Sequence, residues 1–403
     1  MKIGVYFGKY IFSDSKSGGA FTFQQSILNN LLKISSEHEF FIFSDDANKI
    51  KSKNNLKFIQ LKRFYARGNF INKQFLRVFY KFKRKQIEKK YFNPLNKAIN
   101  EHNIELMWFV TPAYEFVEVP FICTIWDLQH RKQSFFPEVS VAGWKFDERE
   151  KRYNFVIPRA AYIITGNDAG KNEIVQFYSI PPKRVKLIPM PTPEVVFSCK
   201  NIDVDFAKTL PEKFLFYPAQ FWPHKNHIVI LLSLKILKEK YGLSFSVVFT
   251  GSDKGNLNYI KQKVKEFGLQ EKVYFLGFVS IEQLVTAYKK AFALIFPSFF
   301  GPDNIPPLEA FALKCPVIAA KVDGSQFQLQ GAALLFNPTN EEELAHCVHK
   351  LHHNMQLRKK IIINGFKKAK SFNSKSYVEK ILQIFDEFYK IRRCWSSKEK
   401  YQE

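Results

Sequence analysis

The sequence predicts an α/β protein made of two Rossmann-like, doubly wound parallel-sheet domains that face a shared cleft. Three observations carry this reading. Short apolar runs alternate with longer amphipathic ones along most of the chain. The alternation breaks once, at a proline-rich stretch, and then restarts. The 403 residues also exceed what one ordinary domain holds.

In the first half, Ile3 to Phe7 reads as a strand, followed by a polar loop to Gly19 and a helix from about Ala20 to Ile34. Glu39–Phe43, Leu106–Phe109, Phe121–Trp126 and Tyr162–Thr165 continue the strands, with a helix over Trp144–Ile157. The break runs from Pro189-Met190-Pro191-Thr192-Pro193 to Pro211. Beyond it come strands Phe214–Tyr217, Ser246–Thr250, Val273–Leu276, Ala293–Phe296 and Val317–Ala320. Helices are expected near Asn226–Lys240, Tyr259–Phe267, Ile281–Lys290, Pro306–Leu313 and Glu341–Leu351. The expected domains are 1–190 and 213–372, joined by a linker over 191–212. Residues 373–403 form a terminal helical segment compatible with packing back on the first domain. Such sheets bind ligands outside the carboxyl ends of their strands.

Composition narrows the class. With 46% hydrophobic and 24% charged residues and no low-complexity tract, the chain is globular. Lys+Arg number 61 against Asp+Glu 37, a formal charge of +24, which attracts nucleic acid, an anionic membrane or phosphorylated ligands. No nucleic-acid signature accompanies it. The basic excess peaks over residues 57–97, which hold 13 basic residues and Glu88 as the only acid, interleaved with Phe70, Phe75, Leu76, Val78, Phe79 and Phe82. This pattern fits a basic amphipathic helix on an anionic lipid surface, and equally a core helix with a solvated basic side. The five cysteines include no C-x-x-C pair, and Cys123 and Cys315 lie among apolar neighbours. Free thiols in a reducing compartment are expected. The N-terminal apolar run is too short for a signal peptide, and no segment is long and apolar enough to span a bilayer. The expected location is the cytoplasm, compatible with the inner membrane face.

Four constellations carry chemistry. Ser17-Gly18-Gly19-Ala20 lies between the first strand and helix, where glycines let backbone N–H groups approach an anion; an ordinary flexible loop looks the same. Tyr217 to Asn226 follows the first strand of the second half and places Lys225 near a helix start, where a diphosphate is expected, although most lysines are simply solvated. Phe296 to Phe311 runs from a buried strand through Gly301, Pro302, Asp303 and Asn304 into a helix opened by Pro306-Pro307. Its early N–H groups are expected to point outward. Glu309, expected in the first turn, suits a ribose diol or merely offsets the helix dipole. Finally, Asp127, His130 and Arg131 gather at the end of the Phe121 strand, where a lone Asp would be only a cap.

The order and spacing of these motifs resemble the retaining glycosyltransferases of family 4, which have the two-Rossmann-domain GT-B fold. Pro-Pro-Leu-Glu-Ala-Phe-Ala at 306–312 and Cys-Pro-Val-Ile-Ala at 315–319 resemble that family's signature. Trp126-Asp127-Leu128-Gln129-His130-Arg131, with Phe136-Pro137-Glu138-Val139-Ser140, resembles a mannosyltransferase-like branch. The resemblance implies that Gly18 and Gly19 approach the donor diphosphate, with Lys225 neutralising it and Gln220 beside it. It implies that Asp303, Asn304 and Ile305 contact sugar or phosphate, that Glu309 holds the ribose, and that Asp127 and His130 lie near the reacting sugar. Three positions depart from the family pattern. Gly301 replaces the first of two glutamates, leaving Asp303 as a substitute contact. Trp126 replaces a histidine, leaving His130 as its substitute. Gln220 replaces an arginine.

The implied reaction moves a hexose from a nucleoside-diphosphate sugar, a substrate rather than a cofactor, to a saccharide or lipid-linked saccharide. Configuration is retained by front-face attack, in cell-surface polysaccharide or glycolipid synthesis. No metal is expected: Asp203-Val204-Asp205 has metal-binding spacing but falls in the linker. The competing readings are a sugar-nucleotide epimerase or hydrolase on the same fold, a catalytically dead relative, and a basic nucleic-acid-binding protein.

Overall fold

The computed structural model describes residues 1–8, 19–46, 55–61, 94–141, 143–199, 202–301 and 303–396. The strands before the proline-rich break are β1 Lys2–Tyr6, β2 Glu39–Ser44, β3 Leu56–Gln60, β4 Leu106–Phe109, β5 Phe121–Thr124, β6 Tyr162–Thr165 and β7 Val185–Leu187. Those after it are β8 Phe214–Pro218, β9 Ser246–Thr250, β10 Val273–Phe275, β11 Ala293–Phe296, β12 Val317–Ala320 and β13 Ala333–Phe336. They form a seven-stranded sheet of order β3-β2-β1-β4-β5-β6-β7 and a six-stranded sheet of order β10-β9-β8-β11-β12-β13. The second sheet is parallel throughout, and so are the pairings from β3 to β5 in the first. Two doubly wound Rossmann-like sheets are therefore present, as the alternating pattern predicts.

The apolar runs have a physical reason. β4, β5, β6, β9, β11 and β12 are buried at every residue, so both faces must be hydrophobic. β3, β7 and β13, absent from the sequence reading, are edge strands with exposed or half-buried residues and a weaker signal. The two strand orders reverse between β1 and β4 and between β8 and β11. The crevice outside the strand ends at such a reversal is where ligands bind.

The chain divides into two compact units. One comprises Met1–Thr124, Arg159–Ile163 and Ile381–Glu403; the other comprises Ile125–Pro158 and Ile164–Lys380. Within the first, the end of helix Ser374–Arg392 packs by Phe385 against Trp108, with ring centroids 5.9 Å apart. Asp386 lies 3.1 Å from His38 Nε2, and Arg392 lies 3.4 Å from Glu105. The second unit holds most of the residues that follow β5, the second sheet among them. The stretch expected as a linker holds helices Val195–Ser198 and Val204–Thr209. Asp203 caps the latter, accepting the Phe206 N–H at 2.9 Å, and the exposed Asp205 pairs with Lys208 at 2.9 Å. All five cysteines are free, with Cys123 and Cys315 buried. Among the described residues no helix is long and apolar enough to cross a membrane.

Candidate functional site

The loops after β8 and β11 leave the same edge of the second sheet as neighbours, because those strands pair with each other. After β8, the chain makes a short turn over Pro223–Lys225 and enters helix His227–Tyr241. Tyr217 Oη donates to the Lys225 carbonyl at 2.9 Å, and Asn226 takes a left-handed conformation (φ 56°) while its Nδ2 donates to the Pro338 carbonyl at 2.7 Å. The backbone at Lys225 is thus fixed from both sides. Its ammonium sits 5.4 Å above the Phe296 ring and has no hydrogen-bond or ion-pair partner among the described residues. Burial lowers its pKa to about 8, against the opposing charges of Asp127 and Glu138. At neutral pH it remains mainly a cation, partly desolvated and unpaired, which is the state an anion binds most strongly.

Glu138 braces this turn. It accepts the His224 N–H at 3.0 Å and pairs with His224 Nδ1. Burial, with the Lys225 charge adding to it, lowers His224 to about 4, so the ring is neutral and donates Nδ1–H to an ionised carboxylate. Burial alone would raise Glu138, but the His224 donors outweigh it and hold the carboxyl below its ordinary value. The His224 ring stacks on Phe300 at 4.3 Å, and the Phe299 N–H reaches the His224 carbonyl at 2.9 Å, joining the two loops.

In the β11 loop, Gly301 has φ +97°, and a Cβ there would lie 2.3 Å from Asn304 Oδ1. A side chain is therefore strained at this position, where the resembled pattern carries its first glutamate. Asp303 accepts the Met190 N–H at 2.8 Å and the Gln328 Nε2–H at 2.7 Å, and burial raises its carboxyl to about 6. The Asn304 N–H, expected to face outward, is instead taken by Gln328 Oε1 at 3.2 Å. Pro306 and Pro307 have no N–H. The Ile305 N–H, at the first position of helix Ile305–Ala312, has no partner among the described residues and stands at the positive end of the helix dipole. Glu309 is the fifth residue of this helix, one residue deeper than expected, because the helix begins at Ile305 rather than Pro306. It is 7% exposed, accepts Tyr288 Oη–H at 2.9 Å, and is pushed up to about 7 by burial.

The remaining sequence candidates separate. Asp127 is one-third exposed and accepts the Gln129 N–H at 3.1 Å, and its charge reaches Lys225 and His224. His130 has no exposed surface. Its Nε2 bonds Glu150 at 2.7 Å, and Arg131 grips the same carboxylate at 2.5 and 2.8 Å. The Arg131 bonds, aided by His130, hold Glu150 down at about 2. An apolar wall of Phe146 and Tyr153 encloses the His130 ring, so it is a framework group in this conformation. Gln220 is occupied by Ser252 and Trp222 at 3.2 Å each. Gly19 opens helix Gly19–Leu31 beside the β1/β4 reversal and is exposed; Gly18 lies outside the described residues. So does most of the basic segment, 62–93. Glu138, His224 and Gln328 gained no role from sequence. The first two stood inside quoted motifs, whereas Gln328 carries no local signal at all.

A separate polar cavity of 1080 Å³, lined by Lys132, Asn172, Glu173, Asp323, Phe327 and Asn337 among others, includes neither Lys225 nor Glu309. Among the described residues, no group of three or more His, Cys, Asp or Glu side chains is arranged to hold a metal ion.

Residues 200–368 match the family model of the glycosyl transferases group 1. The chain is 27% identical over 186 residues to the O-antigen chain mannosyltransferase RfbU of Salmonella typhimurium, covering 46% of this chain and 49% of that protein. It is 23% identical over 234 residues to the O-antigen chain mannosyltransferase B of Escherichia coli, covering 56% and 60%. The chain thus spans about half the length of the curated relatives it matches. In fold it is similar to the sucrose-phosphate synthase of Thermosynechococcus elongatus, with TM-score 0.72, 16% identity and coverage of 97% of this chain and 100% of that one. It is likewise similar to Anabaena HepE in complex with UDP and glucose, with TM-score 0.68, 16% identity and coverage of 96% and 100%.

Proposed function

We propose that this chain, whose residues 200–368 carry the glycosyl transferases group 1 segment, is a retaining hexosyltransferase of the family 4 type. It moves a hexose from a nucleoside-diphosphate sugar to a saccharide or lipid-linked saccharide in cell-surface polysaccharide or glycolipid synthesis. The observation that carries this reading is the unpaired Lys225 ammonium at the β8/β11 reversal, beside the loop that opens helix Ile305–Ala312. Two O-antigen mannosyltransferases among the relatives, and a UDP complex among the similar folds, support it.

The chemistry follows from charge. The departing nucleoside diphosphate gains negative charge as the glycosidic bond breaks. Lys225, the Ile305 N–H and the helix dipole are preorganised to stabilise that charge, each worth about a few kcal/mol in a desolvated site. Glu309, once ionised, accepts hydrogen bonds from the ribose diol. Asp127, whose charge acts on Lys225, is the catalytic candidate coupled to the cation that would hold the phosphate. His130, Arg131 and Glu150 fix the turn that carries Asp127. The leaving phosphate assists attack on its own face, which gives retention. No metal takes part in this scheme, since Lys225 supplies the positive charge. The chain acts from the cytoplasm, with the basic segment of 57–97 holding it peripherally on an anionic membrane.

A thermal-shift and titration screen of UDP-, GDP- and dTDP-sugars against the wild type and Glu309→Ala tests the reading. A saturable shift with one donor, lost in Glu309→Ala, is expected. No response to any nucleotide overturns it, and donor breakdown at full rate without acceptor favours a hydrolase or epimerase instead.

A further inference from the structure

We propose that Gln328 is a positioning residue for the donor pyrophosphate, acting through the 303–304 turn; the inference rests on the sugar-transfer reading above. Gln328 is 1% exposed and lies on the short helix Ser325–Leu329, outside every motif that marks the donor site. Its carboxamide makes three hydrogen bonds to two consecutive residues. Oε1 accepts the Asn304 N–H at 3.2 Å, while Nε2 donates to the Asn304 carbonyl at 2.9 Å and to Asp303 Oδ1 at 2.7 Å. The N–H and C=O of one residue lie in the two successive peptide planes that flank its Cα, so a planar amide that binds both fixes the orientation of both planes. Asn304 is the cap residue immediately before Ile305, and its C=O shares a peptide plane with the Ile305 N–H, so the amide sets the direction of that N–H at the helix start.

The turn needs such a clamp because its own bonds are few. Asn304 contributes no side-chain cap bond to the helix; its Nδ2 turns back to the Gly301 carbonyl. Two prolines remove the donors that would otherwise define the first turn. Asp303 ties the other side of the turn to the Met190 N–H, and a Cβ on Gly166 would strike Asp303 Oδ2, so the carboxylate is packed in place. Gln328 is itself held from behind, with Lys368 Nζ 3.1 Å from the carbonyls of both Phe327 and Gln328. The chain of contacts Lys368, Gln328, Asn304, Ile305 leads from the rear of the unit to the phosphate-binding point. Gln328 itself need not touch substrate. Its role is to keep the Ile305 N–H and the helix axis aimed where the β-phosphate charge develops.

The test separates diphosphate from monophosphate recognition. Full-length wild type, Gln328→Met and Gln328→Asn are titrated calorimetrically with UDP, GDP, UMP and GMP. Met keeps the length and removes all three hydrogen bonds. Asn keeps the amide but is one methylene too short to span both partners. Both variants are expected to lose about tenfold in affinity for the diphosphate while binding the monophosphate within twofold of wild type. In turnover, kcat is expected to fall further than KM rises, because the leaving group needs the aim most in the transition state. Equal losses for mono- and diphosphate, or none, in the folded Asn variant overturn the positioning role. A wild type that binds none of the four nucleotides sinks the sugar-transfer reading instead.

Discussion

Two side chains of opposite charge set a narrow working range at the residue scale. In the proposed function Glu309 works ionised, accepting ribose hydroxyls, and burial raises it to about 7. In the same proposal Lys225 works protonated, neutralising phosphate, and burial lowers it to about 8. A bell-shaped pH profile of kcat/KM for the donor is expected, rising through about 7 and falling through about 8. Lys225→Arg should move the alkaline limb out of range, since guanidinium does not titrate there. Lys225→Met should reduce kcat/KM by about 10²–10³. A flat profile from pH 6 to 9 removes both assignments. Glu309 also links pH to stability. Its pKa is higher folded than unfolded, so its contribution is complete below about 4.5 and is lost as pH rises through about 7. Glu309→Gln should therefore gain on wild type between pH 5 and 8, by up to about 3 kcal/mol in urea titrations. Gly301 poses a different constraint. Replacing it by the family's glutamate puts a Cβ against Asn304 at φ +97°, which should cost about 1–3 kcal/mol and lower activity rather than raise it.

At the scale of elements, legibility followed burial. Strands covered on both faces, such as Ala293–Phe296 and Val317–Ala320, announced themselves as unbroken apolar runs with the bounds found in the structure. Of the edge strands, Val273–Phe275 was legible, but Val185–Leu187, a three-residue run with two half-buried positions, was not. Motif positions at strand ends were equally legible: Lys225 and Ile305 sit where a doubly wound sheet must place them. The hydrogen-bond economy around them was not. Whether Gln220 is free or tied to Ser252, or whether Asn304 shows its N–H or gives it to Gln328, depends on residues far away in sequence. His130 looked like a cleft residue by spacing, yet its partner Glu150 and its aromatic wall come from helix Phe146–Val156. Asp203-Val204-Asp205 shows the reverse case, a metal-like spacing that serves as a helix start. Asp203→Ala should cost about 1 kcal/mol of stability with kcat/KM unchanged. Wild-type turnover should survive EDTA. Loss under chelation, restored by Mn²⁺, would put a metal into the mechanism.

At the scale of the whole molecule the charge distribution bears on the proposed placement of the chain at a membrane. A formal charge of +24 is more than a nucleotide pocket needs, and 13 of the basic residues fall within 57–97 beside a single acid. Each Lys or Arg near an anionic bilayer contributes about 1 kcal/mol at low salt, and that attraction decays over a Debye length of about 10 Å at 0.1 M salt. Interleaved Phe and Leu side chains add a term that salt does not weaken. The two together predict a specific pattern of vesicle binding. Co-flotation should be strong with phosphatidylglycerol vesicles, absent with phosphatidylcholine, and reduced several-fold between 50 and 300 mM NaCl without vanishing. Neutralising Lys81, Lys83, Arg84, Lys85, Lys89 and Lys90 to glutamine should abolish it while leaving turnover with a soluble saccharide acceptor intact. Turnover with a vesicle-embedded lipid-linked acceptor should fall in the same variant, chiefly through KM, because the surface concentrates enzyme near acceptor without altering the chemical step. Flotation that ignores lipid charge would leave the basic segment as a solvated face of the fold, and the excess charge would then need a soluble polyanion as its counterpart.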